Sequence, residues 1–156
     1  MYAMLETPHV ALGLAIATAI PNPYISIPLA FTSHFILDMV PHWNPHFYSE
    51  TKNFGKPSKF STTIAVIDEL AAIALTLSIA YSILPDLNSA IVAMMCSFAS
   101  VLPDQIKFPF FFFKQMRYGI IKKWTEWERS IQVEVGPFWG ILTQVLVVLG
   151  SLYIIS

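Results

Sequence analysis

The placement of positive charge restricts this chain more than any other feature. All nine basic residues (Lys52, Lys56, Lys59, Lys107, Lys114, Arg117, Lys122, Lys123 and Arg129) fall in two connecting stretches. The apolar segments between and around them carry none. Only 12% of the residues are charged, against about 25% in a soluble domain. Hydrophobic residues make up 55%, and mean hydropathy is positive. The pattern predicts an all-α integral membrane protein, a single membrane domain over residues 1–156. It predicts about five transmembrane helices, near residues 8–20, 24–40, 62–84, 87–102 and 137–155. The first and fourth are short against the ~20 residues of a straight span. With five spans, both basic connections lie on one side. The positive-inside rule makes that side the cytoplasm of a cell (inner) membrane, with the N-terminus there and the C-terminus outside.

Punctuation supports these boundaries. Thr7 followed by Pro8 reads as an N-cap and first-turn proline. Pro21 to Pro23 closes the first segment and Pro41 stops the second. The N-terminal MYAMLETPHV has no basic n-region, so no signal-peptide cleavage is expected. The single cysteine, Cys96, leaves neither a disulfide framework nor a cysteine zinc motif.

The stretch between the fourth and fifth segments reads differently. Over about 116–135, Ile120, Trp124, Trp127, Ile131 and Val135 recur at helical spacing. Lys122, Lys123, Glu126, Glu128, Arg129 and Gln132 take the other face. That is an amphipathic helix suited to the membrane interface. The spacing of HFILDMVPH (34–42) and CSFASVLPD (96–104) is similar. It suggests two helical hairpins in a weak parallel repeat.

The chemistry gathers at one depth. In SHFILDMVPHW, His34, Asp38 and His42 are spaced by fours, so His34 and Asp38 share a helix face. His42 falls just past the proline that ends the helix. On the five-span topology, His9 starts the first helix on the cytoplasmic side. Asp68 and Glu69 lie about two turns into the third, and Asp104 ends the fourth. No Lys or Arg is expected within the spans to neutralise these acids. A bare acid at mid-bilayer costs roughly 2.5–3.5 kcal/mol. Histidines and carboxylates together suit a divalent metal ion, zinc first, with manganese or iron as alternatives. The expected ligands are His9, His34, Asp38, Asp68, Asp104 and His42. Zinc lowers the pKa of a water it holds to about 7 and so supports attack on an ester. Asp68 or Glu69 would then act as general base or second-metal ligand.

The run TPH before a small-residue ALGLAIA helix, the H-x-x-x-D-x-x-P-H helix end and the later LPD resemble the YdjM-type inner-membrane proteins. Members of that family are described as predicted metal-dependent hydrolases, related in pattern to zinc-dependent phospholipases C. The resemblance covers roughly Thr7 to Asp104. It implies that His9, His34, Asp38 and Asp104 are metal ligands. The family's LPDxDH run appears here only as LDMVPH, and its HRGxTHS run has no counterpart.

The expected function is therefore a membrane-embedded, metal-dependent hydrolase. It would act on a phosphodiester or ester, a membrane lipid among the candidates, at the cytoplasmic leaflet. The Lys-rich loops would gather anionic lipid. The alternatives are a non-enzymatic metal-binding or ion-transport membrane protein, and a scaffold whose acids pair with Lys107 or Arg129. Nucleic acid is not an expected partner. There is no phosphate-binding glycine loop and no nucleophile elbow.

Overall fold

The computed structural model describes residues 4–156. Among them seven α-helices follow in order: α1 (Glu6–Ala19), α2 (Pro23–Asp38), α3 (Phe47–Phe54), α4 (Lys59–Ile83), α5 (Leu87–Phe112), α6 (Gly119–Ile131) and α7 (Pro137–Ile155). A short 3-10 turn, Lys114–Met116, joins α5 to α6. Three helices, α4, α5 and α7, are long and apolar enough to cross a membrane. Helices α1 and α2, with 14 and 16 residues, are shorter than a straight span.

Helix α1 is the centre of the bundle, and α2, α4, α5 and α7 all pack on it. Its small residues permit this. Gly13 lies so close to α5 that a methyl there would stand 2.8 Å from both the Cys96 carbonyl oxygen and Ser100 Oγ. Val10, Leu14 and Ala17 join Ala30, Ala93, Cys96 and Ala99 in the apolar core. By contrast α4 turns Val66, Ile67, Leu70, Ile73 and Leu77 outward, and α7 does the same with Ile141, Leu142, Val145, Leu146 and Leu149. Apolar residues facing out along such helices match a hydrocarbon surround. Further along these helices, Thr76 Oγ1 and Ser97 Oγ link α4 to α5 at 2.6 Å.

Several boundaries differ from the sequence reading, each for a physical reason. Helix α1 starts at Glu6, so Thr7 is inside it rather than its N-cap. The cap comes from another helix: Asp68 of α4 accepts from the backbone N–H of Glu6 and Thr7 and from Thr7 Oγ1. Helix α5 runs on through Pro103 to Phe112, ten residues past the expected end. Both its prolines are inside it. The loop after α2 contains α3, which Gly55 closes in the left-handed conformation (φ 77°).

Helix α6 also departs from expectation. It packs on α5 and α2, and its buried residues are Thr125 and Glu128. Glu128 and Gln132, assigned from sequence to the outward polar face, point inward. Ile120, expected on the apolar stripe that faces the membrane interface, is 80% exposed. Trp124 and Trp127 reach Phe35 of α2 edge-on. Lys122, Lys123 and Glu126 stay exposed, while Glu128 and Gln132 turn in and close a polar site.

One end of the bundle collects the buried histidines and acids. Asp68 lies nine residues along α4 from Lys59, and Asp104 eight before the end of α5 at Phe112. At 1.5 Å per residue both sit about 12–14 Å inside the helix ends. The strap 132–135 closes over this end. It bonds back to α2 through Val133 N–H to the Asp38 carbonyl (3.1 Å) and His42 N–H to the Val133 carbonyl (3.0 Å).

Candidate metal centre

Three helices and the roof deliver one cluster. Helix α1 supplies His9, α2 supplies His34 and Asp38, α5 supplies Asp104 and Lys107, and α6 supplies Glu128. All six are buried, and four of them (His9, His34, Asp38 and Glu128) are at 0% exposure. Two overlapping groups have ligand-type atoms within 4.8 Å of one another: His9, His34 and Asp38, and His34, Asp38, Asp104 and Glu128.

The orientation of His34 is fixed from behind. Its Nδ1 lies 2.8 Å from the Ser100 backbone carbonyl, which only an N–H can satisfy. That leaves Nε2 as the free nitrogen of a neutral ring, the arrangement that orients metal-binding histidines. Yet Nε2 faces three carboxylate oxygens: Glu128 Oε1 at 3.1 Å, Asp104 Oδ1 at 3.2 Å and Asp38 Oδ2 at 3.5 Å. A lone pair among carboxylates requires a proton or a metal ion between them. Ligands at 2.0–2.1 Å from a tetrahedral ion stand about 3.3 Å apart, and these separations bracket that value.

His9 points the same way. It is fully buried, and among the described residues neither ring nitrogen makes a hydrogen bond. Its Nε2 stands 3.6 Å from Asp38 Oδ1, too long for one. The supporting bonds are on Asp38 instead. Gln132 Nε2 donates to Oδ2 at 3.1 Å and Met4 N–H to Oδ1 at 3.3 Å.

Lys107 is the internal counter-charge. Its Nζ ion-pairs with Asp104 and with Glu128. This corrects the expectation that no basic residue meets the acids: α5 continues ten residues further than expected and carries Lys107 inward. Burial pushes the Glu128 carboxyl up from its ordinary value, with Lys107 pulling against it. Neutralisation is still incomplete. Asp38, Asp104 and Glu128 against Lys107 leave a formal charge of −2 with neutral histidines. A divalent cation would cancel that charge.

The other expected site residues lie apart. Asp68 is engaged at the start of α1, where it fixes the helix that carries His9. Glu69 is half-buried, with Gln105 Nε2 at 3.5 Å. Both line a cavity of about 340 Å³ that also touches Asp104 and Lys107. His42 is buried just past α2, as its spacing predicts. Its Nδ1 lies 2.8 Å from the Val40 carbonyl, and it belongs to neither ligand group. Sequence reading did not select Glu128 or Gln132 for the site. Their polar face is what an exposed helix would show, and only the fold turns it inward. Asn44, buried in the cavity wall, was not singled out from the sequence.

Compared with known proteins, the chain matches no protein-family model, no curated protein and no solved structure.

Proposed function

We propose that this chain is a membrane-embedded, metal-dependent hydrolase of a lipid ester or phosphodiester, working at the leaflet that faces its basic loops. The observation that carries the reading is His9, buried with both nitrogens unpartnered beside the stacked His34 and the carboxylate of Asp38. His9, His34 and Asp38 hold the ion, zinc before manganese or iron, and Asp104 and Glu128 complete the set. The bound ion supplies Lewis-acid polarisation of a phosphoryl or carbonyl oxygen. The chain's own groups do the rest. Ser100 fixes the His34 tautomer, Gln132 and Met4 orient Asp38, and Lys107 offers an ammonium to a substrate oxygen at the cavity wall. Asp68 serves by holding α1, and Glu69 by lining the cavity.

In this reading α1 and α2 form a transmembrane hairpin beside α4, α5 and α7, giving five spans. The basic connections lie on the cytoplasmic side of a cell membrane, and the site opens at that leaflet. Metal analysis of purified protein, followed by turnover of a short-chain phospholipid with and without chelator, tests it. The expected result is about one ion per chain and chelator-sensitive release of product. Metal without turnover would favour a metal-binding or transport protein. Absence of metal that zinc or manganese cannot restore would sink the hydrolase.

A second reading has its own observation. Lys107 pairs with Asp104 and Glu128, so the cluster can serve as a polar clasp holding α6 to α5. In that case metal has no effect on stability.

A further inference from the structure

The cavity beside the cluster contains a polar side chain that the hydrolase reading does not use. Asn44 lines it and is 2% exposed, yet neither its Oδ1 nor its Nδ2 has a hydrogen-bond partner among the described residues. Buried amides are paired in almost every folded protein, because leaving one bare is costly. Asn44 is therefore suited to a ligand that brings both a donor and an acceptor, or an oxygen-rich group.

The route into the cavity identifies the medium the ligand comes from. Of the lining residues, the exposed ones are Val66 and Leu70 on α4 and Phe108 and Phe112 on α5. All four are apolar, and both helices are apolar enough to cross a membrane. The mouth therefore opens sideways, toward acyl chains. A dissolved metabolite would have to leave water to reach it, whereas a bilayer lipid is already there.

The floor identifies the headgroup. Glu6, Asp68, Glu69 and Asp104 line it against a single Lys107. Lys107 can receive a phosphate oxygen. Glu69, half-exposed and held only by the long contact with Gln105, can receive a cation. The geometry points to this cavity as a lateral binding site for a phospholipid with an amine-bearing headgroup, read by Asn44 and Glu69, its acyl chains between α4 and α5. This rests on the membrane reading above and adds the substrate class to the proposed hydrolase.

The test uses full-length protein in mild detergent, incubated with equal amounts of phosphatidylethanolamine and phosphatidylglycerol and read by native mass spectrometry. Wild type should retain the amine lipid over the glycerol lipid by about fivefold, the size of one charge pair. Glu69→Gln should erase that preference. Asn44→Leu should cut retention about tenfold, the equivalent of one or two hydrogen bonds. Its thermal midpoint should hold or rise, because a bare buried amide has been removed. Equal retention of the two lipids, or retention unchanged in Asn44→Leu, overturns the site. The metal reading fails separately: His9→Ala protein that loses no metal counts against the cluster, whatever lipid it retains.

Discussion

His9 and His34 stack with ring centroids 4.1 Å apart and 20° between their planes, although α1 and α2 run in opposite directions. The hairpin dictates the match. His9 lies ten residues before the end of α1 at Ala19, and His34 eleven after the start of α2 at Pro23. Both therefore sit about 15–16 Å from the turn. Two rings meeting there put two nitrogens against the same carboxylate, Asp38, from opposite oxygens. A pair of imidazoles clamped this way costs burial unless something binds them.

Metal affinity should follow that geometry. Asp38→Asn should lower affinity for zinc by more than about 100-fold, because even second-shell partners cost 10–100-fold. Asp86→Asn should leave it unchanged, since Asp86 caps α5 at the opposite end through Ser89. The ligands bind deprotonated, so affinity should weaken as the solution is made acidic. Competition titration with a chromophoric chelator reads all three, and pH-independent binding would remove the histidines from the site.

Lys107 separates the two readings of the cluster. Lys107→Met strands Asp104 and Glu128 as buried charges, which should cost about 3–5 kcal/mol. If the cluster holds a cation, millimolar zinc or manganese should restore much of the lost thermal stability, because the formal charge has become more negative. A loss that no divalent ion repairs would make the cluster a clasp.

The sequence carries some of this cluster and hides the rest. The i, i+4 step from His34 to Asp38 and the turn-marking Pro41 are local signals, so they survive folding unchanged. The shared depth of His9, Asp38 and Asp104 follows from helix direction, which the basic residues encode. Asp68 was legible as a buried acid but not as a cap for α1, since that pairing spans 61 residues. The fourth apolar segment was expected to end near residue 102, yet α5 continues through Pro103 and Pro109 to Phe112. Glu128 was read from helical periodicity alone, and periodicity cannot tell solvent from a polar interior.

The five-span topology can be checked by cysteine labelling from each side of sealed vesicles. Pro21→Cys, in the α1–α2 turn, and Ser156→Cys should label from one side, and Lys56→Cys from the other. Cys96 is buried and should stay silent. If Pro21→Cys labels together with Lys56→Cys, α1 and α2 do not cross, and only α4, α5 and α7 span.

The last prediction concerns the lip of the cavity, where α3 meets α4. Glu50 of α3 accepts from Ser58 N–H at 2.7 Å and from Ser61 Oγ at 3.0 Å, tying α3 to the start of α4. Burial works against this carboxyl, but the bonds from Ser58 and Ser61 hold it below its ordinary value of 4.5. A group whose folded value is depressed stabilises above its unfolded value and loses that contribution as pH falls through the folded one. The tie should therefore be intact at neutral pH and weaken below about 4.5. Because Glu50 is mostly solvated, the effect is small, about 0.5 kcal/mol. Hydrogen exchange over residues 47–61 should speed up in acid in wild type. In Glu50→Gln exchange should already be fast at pH 7 and lose its pH response beyond the intrinsic rate. Identical exchange profiles for the two proteins would show that α3 is held by Phe47 against Phe111 and Phe112 instead.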